Sequence, residues 1–195
     1  MRHDIVLEGS AFRLRPVSDS DATFILKLRT NAFLNRFLHS TDSSLQSQLN
    51  WLSEYYKREG DWYFVVERCA DNRPEGLISL YDHNATLHKA EWGRWILLPG
   101  SRAAIESAWL IYNCAFTLLN IREVYCRTVA GNASVISFHD SCGISKRKLL
   151  SGHFDLNNHV IDAVEHCVDL SDWRTLGPRL KFLAEKLARR MQNDN

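Results

Sequence analysis

The groups best suited to chemistry lie between residues 91 and 139. Pro99-Gly100-Ser101-Arg102-Ala103-Ala104 separates an apolar, strand-like run from an apolar, helix-like one. A helix beginning there offers unpaired backbone N–H groups and a partial positive charge. Gly100, Ser101, Arg102, Ala103 and Ala104 are therefore a candidate cradle for a diphosphate. Taken alone, Pro-Gly-Ser is equally an ordinary helix start. Glu91 is a carboxylate within a strand, and alternation assigns Glu91 and Gly93 to one face, Trp92 and Arg94 to the other. A plain exposed strand carboxylate would read the same way. His139 carries an imidazole whose ordinary pKa is near neutrality, which suits proton transfer, although a lone histidine in a helix is more often structural. Asn132 opens the same helix and suits an N-cap.

Other groups give weaker readings. Asp155, His159, Asp162 and His166 invite a metal, but they straddle a turn and a strand without a recognised ligand spacing, so no metal is expected. The five cysteines, Cys69, Cys114, Cys126, Cys142 and Cys167, are odd in number and include no Cys-x-x-Cys pair. They fit neither a disulfide framework nor a zinc site and are expected to be small buried residues in a reducing compartment. Lys and Arg number 24 against 23 Asp and Glu, a net charge of +1, so no whole-molecule field draws nucleic acid or an anionic membrane. MRHDIVLEGS lacks an apolar run fit for a signal sequence, and Ser107 to Leu119 is too short and polar to span a bilayer. A cytoplasmic location is expected.

The elements that must position these groups follow from periodicity. With 195 residues, 45% of them hydrophobic, the chain is expected to form a single domain around one sizeable core. Phe12 to Val17 alternates as a first strand, and Ser18-Asp19-Ser20-Asp21 caps a helix through Leu28. A second helix is expected from Thr41 or Ser43 to Lys57, on the spacing of Leu45, Leu49, Leu52 and Tyr56, with Gly60 ending it. Trp62 to Cys69 and Gly76 to Asp82 read as a hairpin across DNRPEG, and Lys89 to Leu98 continues the sheet. Ala103 to Leu119 reads as a long buried helix, Ile121 to Val129 as a strand, and Asn132 to Ser141 as a short helix stopped by Gly143. Strands near Lys146 to His153 and Val160 to Leu170 follow. Pro178 to Met191 is amphipathic, with Leu180, Leu183, Leu187 and Met191 on one side. The pattern is α+β on one mixed sheet, with a parallel strand-helix-strand crossover in the middle.

Residues 90 to 144, AEWGRWILLPGSRAAIESAWLIYNCAFTLLNIREVYCRTVAGNASVISFHDSCGI, resemble the acetyl-coenzyme A core of the GNAT superfamily. The likeness runs from the Leu98-Pro99-Gly100 loop through Ala115-Phe116 to NASVISFHDSCGI, and extends more loosely over Phe12 to Trp173. It implies a central, mostly antiparallel mixed sheet flanked by helices, here with an extra C-terminal helix. It also implies acetyl transfer from acetyl-coenzyme A to an amine. The family's glycine-rich loop has become Pro-Gly-Ser-Arg-Ala-Ala, so Arg102 either contacts a phosphate or obstructs the cradle. By resemblance, the backbone of Trp95, Ile96, Leu97 and Leu98 would pair with the pantetheine arm, and Asn132 would bond the cofactor. His139 falls where relatives carry a tyrosine that protonates the leaving thiolate. Glu91 would take the proton from the acceptor amine, with Asp82, His83 and His88 as lesser candidates.

Within the superfamily the likeness is greatest to enzymes acting on nucleotide-linked amino-sugars, which implies a small-molecule amine acceptor. Arg29, Arg36, Trp51, Tyr55 and Arg94 could supply its cationic and aromatic contacts, Arg29 and Arg94 foremost. Ribosomal-protein N-terminal acetyltransferases share the outline and are the alternative. A scaffold with a degenerate cradle, binding without turnover, is another. The basic last helix could meet an acidic partner or a second subunit as a homodimer, although such a leucine stripe usually packs within its own chain.

Overall fold

The computed structural model describes residues 2–156 and 158–193. Leu7–Glu8 (β1), Phe12–Pro16 (β2), Trp62–Arg68 (β3), Arg73–Asn84 (β4), Lys89–Leu97 (β5), Glu123–Val129 (β6), Arg147–Leu156 (β7) and His159–Asp169 (β8) form one sheet, ordered β1-β2-β3-β4-β5-β6-β8-β7. β5 and β6 run parallel; the other neighbours run antiparallel. The α-helices are Ala22–Arg29 (α1), Leu45–Tyr55 (α2), Ala104–Asn113 (α3), Ala133–Cys142 (α4) and Leu170–Asn193 (α5). This is the α+β, mostly antiparallel mixed sheet with an added C-terminal helix that the sequence pattern predicts.

Local chemistry sets the ends of these elements. Asp21 accepts the Ser18 N–H at 2.8 Å and receives Arg15 at 2.8 and 2.9 Å, which fixes the turn into α1. α2 is shorter than its periodicity suggests. Asp42 accepts the Ser44 N–H at 2.9 Å and the Ser47 hydroxyl at 2.6 Å, holding the preceding residues as a loop. α3 stops at Asn113 and closes with a wider turn, Cys114–Leu118, in which the Leu119 N–H donates to the Cys114 carbonyl at 3.0 Å. Gly143, at φ 94°, ends α4 as expected. α5 starts at Leu170, well before Pro178. The Asp169 carboxylate accepts the N–H groups of Ser171 (2.7 Å) and Asp172 (3.0 Å), so the helix follows directly on the last residue of β8.

The sheet is covered on both sides, which is why β3 reads as an unbroken apolar run. Trp62, Phe64 and Val66 face the cluster built with α3 and α5, whereas Tyr63 and Val65 face the one built with α1 and α2. Along α5 the buried row is Leu176, Leu180, Ala184 and Ala188, four residues apart; Leu183, Leu187 and Met191 are only partly covered, a quarter turn from the expected stripe. Within α3 the buried Glu106 carboxylate accepts the Ala11 and Phe12 N–H groups at 3.1 Å, tying the first hairpin to the helix. Of the cysteines, Cys114, Cys126 and Cys142 are buried while Cys69 and Cys167 are half-exposed.

Leu180 is fully buried and Phe182, on the same helix, is 57% exposed. Leu180→Ala is expected to lower the unfolding free energy by ~2–5 kcal/mol and Phe182→Ala by less than ~0.5 kcal/mol, read from urea denaturation curves.

Candidate active site

The parallel pairing of β5 with β6 covers only Lys89↔Glu123, Ala90↔Val124 and Glu91↔Tyr125. Beyond Glu91 the strands part. A cavity of about 710 Å³ opens between their diverging halves, lined by Trp92 to Trp95 on one side and Cys126 to Val129 on the other. α1, α2 and the loop joining them close one flank, and Asn132, just before α4, with Val135 and His139 of α4 close another.

An extra residue in β5 shapes the wall. Leu77 pairs with Ile96 and Ser79 with Gly93, so one step along β4 spans two residues against three on β5, and Arg94 takes φ 47°. Trp92 and Trp95 consequently pack on the α3 side, their rings 5.4 Å apart. Gly93 and Arg94 fall on the side of Glu91. The expectation from strict alternation, with Arg94 on the Trp92 face, is therefore wrong: the bulge inverts the facing of everything after Gly93. Arg94 lies 4.5 Å over the Tyr81 ring and forms a two-pronged bond to buried Asp61 at 2.6 and 2.9 Å.

Glu91 is 6% exposed. The Tyr81 hydroxyl donates to Oε1 at 3.0 Å and Arg127 donates to Oε2 at 3.2 Å. Burial raises its pKa to about 7, against the opposing pull of Arg127 and of Tyr81. A carboxylate half-ionised at neutral pH can accept a proton and release it again, as a general base must. Gly93 makes this possible sterically, because a Cβ there would stand 2.6 Å from the Tyr81 hydroxyl oxygen.

His139 does not titrate near neutrality. Its buried ring packs edge-on against Trp92 at 5.3 Å, with Nε2 3.4 Å from the Cys126 sulfur. Burial first, and the nearby His166 second, lower its pKa to about 3, so at pH 7 it is a neutral imidazole. His166 in turn meets Asp140 at 3.1 Å.

The remaining candidates separate into two groups. Arg29, Glu91, Arg94, Asn132 and His139 border the one cavity. Gly100 and Arg102 border a different depression, between the β3–β4 turn and the end of α5. Gly100 has φ 81° and open space where a Cβ would be. The Ser101 hydroxyl donates to Glu75 at 2.7 Å and accepts the Ala103 N–H at 3.2 Å, capping part of the helix start. The Leu98 N–H is bonded to the Glu75 carbonyl at 2.8 Å, and its carbonyl accepts the Ser101 N–H at 3.0 Å. The side chains of Ile96 and Leu97 pack into the two cores and Ala103 is buried, while Ala104, half-buried, begins α3. Arg102 is exposed and borders Leu187 and Arg190 of α5.

Tyr55 is a core residue whose hydroxyl accepts the Tyr63 N–H at 3.0 Å, and Arg36 lies over Phe33 at 4.6 Å. His83 packs against Trp62. Among the described residues no group of three or more His, Cys, Asp or Glu could hold a metal ion, and no helix is long and apolar enough to cross a membrane. Sequence reading missed Tyr81, Arg127 and Asp61. Tyr81 could have been found from hairpin register, since it stands directly opposite Glu91.

The Acetyltransferase (GNAT) domain family matches residues 12–145, which include every element around the cavity up to the end of α4. The chain belongs to the GNAT acetyltransferases. A nucleotide-linked sugar GNAT, FdhC, is 29% identical at a TM-score of 0.74, covering 89% of this chain and 94% of that one. The spermidine N(1)-acetyltransferase of Escherichia coli is 26% identical over 160 residues, 80% of this chain and 84% of the relative. A GCN5-related N-acetyltransferase from Brucella melitensis shares the fold at a TM-score of 0.80 and 18% identity, covering 92% of this chain and 85% of that one. This GNAT enzyme is thus an acyl-coenzyme A-dependent N-acetyltransferase, and GNAT acetyltransferases use acetyl-coenzyme A. The parted edges of β5 and β6 suit an extended arm such as pantetheine, because past Glu91 and Tyr125 the edges that the two strands turn toward each other are unpaired, while their outer edges stay bonded to β4 and β8.

Because Glu91 must be ionised to take a proton, kcat/KM is expected to rise with pH through about 7 and level above it. Tyr81→Phe removes a bond to the ionised carboxylate and should move that rise to higher pH. Glu91→Gln should abolish it and lower kcat by ~10²- to 10⁴-fold. A profile unaltered by either change would dismiss Glu91 as the base.

Proposed function

We propose that this enzyme acetylates the primary amine of a nucleotide-linked amino-sugar. The observation that carries the reading is the charge of the cavity wall: Arg29, Arg58, Arg94 and Arg127 border it, and while Asp61 holds Arg94 and Arg58 and Glu165 holds Arg127, Arg29 has no carboxylate partner among the described residues. An arginine without a carboxylate partner on the cavity wall suits an acceptor that brings phosphates. Spermidine, a polycation, would meet repulsion from the same wall.

In this reading the acceptor amine reaches Glu91, which takes the first proton from the ammonium. The neutral amine attacks the thioester carbonyl, the C–S bond breaks, and the second proton lost from nitrogen ends on the thiolate. His139, with one N–H and one lone pair, would pass that proton along rather than deliver it as an imidazolium. The amides of Gly100 and Ala104, with Arg102 adding charge at the rim, would hold the cofactor diphosphate, those of Ser101 and Ala103 being bonded within the loop. Asn132 and the backbone of Ile96, Leu97 and Leu98 would border its arm. Arg29 and Arg94 would contact the acceptor, Arg94 held in place by Asp61.

The test is release of free thiol from acetyl-coenzyme A with three acceptors: a UDP-linked amino-deoxyhexose, spermidine, and a peptide with a free N-terminus. The expected result is a kcat/KM on the nucleotide-linked sugar at least ~10-fold above the other two, equivalent to ~1.4 kcal/mol of preference in the transition state. Turnover of spermidine or of the peptide alone would overturn the proposal.

A further inference from the structure

Gln48 lies in the first half of α2, one turn before Trp51, and borders the cavity. It is 5% exposed, and its Nε2 has no hydrogen-bond partner among the described residues. A buried amide N–H without an acceptor is costly, and in native proteins such a group calls for a specific cause. The fold supplies none, since Gln48 ties no loop and caps no helix. The same wall is rich in donors. Arg29, at the last turn of α1, has Nε on Thr41 Oγ1 at 2.9 Å. Asp42, a carboxylate bordering the same cavity, is already occupied by the Ser44 N–H and the Ser47 hydroxyl. Beyond Trp51, Arg58 and Arg94 lie over its ring at 5.2 and 5.7 Å. The missing group is therefore a hydrogen-bond acceptor that arrives from the cavity, and Arg29, which has no carboxylate partner among the described residues, favours one that carries negative charge.

We infer that Gln48 and Arg29 form an oxyanion subsite on the α1–α2 side of the cavity, which binds a phosphoryl oxygen of the acceptor and selects phosphate-bearing amines. Rotation about the last bonds of Gln48 brings its N–H into the cavity, where a phosphoryl oxygen accepts it together with an N–H of Arg29. Gln48 is a specificity-determining residue here and not a catalytic one, because the proton chemistry belongs to Glu91 on the other strand wall. The assignment deepens the proposed function and rests on it for the nature of the acceptor.

The test is calorimetric titration of the full-length protein, first saturated with coenzyme A so that the cofactor diphosphate site is filled. UDP, inorganic pyrophosphate and uridine are the probes. UDP and pyrophosphate should bind while uridine binds at least tenfold more weakly. Gln48→Leu and Arg29→Gln should each weaken UDP at least tenfold, and Gln48→Glu should abolish its binding by like-charge repulsion. Gln48→Leu should fold and take up coenzyme A normally, since it replaces an unpaired amide with an apolar side chain of similar volume. UDP affinity within twofold of the original in Gln48→Leu overturns the subsite, as does uridine binding as tightly as UDP, or no UDP binding at all. The two readings can fail separately. If UDP binding depends on Gln48 but no nucleotide-linked amino-sugar is acetylated, the subsite stands and the proposed function falls. If such a sugar is acetylated equally well by Gln48→Leu, the proposed function stands and the subsite falls.

Discussion

The site depends on how little of β5 and β6 is paired. Two parallel strands joined through a helix would ordinarily remain hydrogen-bonded along their shared length, but here the ladder ends at Glu91 and Tyr125. Past that point each strand keeps its outer neighbour, β4 or β8, and turns its inner edge to the cavity. The carboxylate at the fork is thus buried on the sheet side and open toward the cavity. That position is the cause of its raised pKa.

The bulge at Arg94 works with this fork. It leaves Trp92 and Trp95 in the α3 core, where Trp92 Nε1 donates to the Tyr112 hydroxyl at 2.9 Å, and swings Arg94 to the opposite side. There Arg94 is held between Asp61 and the Tyr81 ring, so the wall beside Glu91 carries a fixed guanidinium and a fixed phenol. Neither side chain is free to satisfy Glu91 fully, and the carboxylate keeps one bond from Tyr81 and a longer one from Arg127. A tighter pairing with Arg127 would hold its pKa down and leave it a poor base.

The second face of the sheet supplies rigidity. α3 and α5 bury an aromatic layer in which Tyr112, Phe116 and Trp173 stack within 5.3 to 6.2 Å of one another. Trp92 joins that layer from β5 and meets His139 from α4. The cavity floor is thus anchored in the core, whereas its α1–α2 flank is a loop held by short polar bonds such as Arg29 to Thr41.

The sequence by itself determined the order and type of the elements, because alternation and helical spacing record which faces are buried, and Ser18 and Gly143 mark where elements change, whereas of the expected DNRPEG turn only Asp71 and Asn72 turn and Arg73 to Gly76 lie within β4. It also carried the family resemblance and the choice of Glu91, since strand position and residue type are local properties. Only the tertiary structure decided which side of the sheet Arg94 faces, because a bulge is a property of strand pairing rather than of one strand. It alone made His139 neutral, through burial between Trp92 and His166, and it alone joined Tyr81, Arg127 and Asp61 to the site from three other strands and loops. Charge state and partnership depend on neighbours distant in the chain, and those neighbours are fixed only when the sheet has formed.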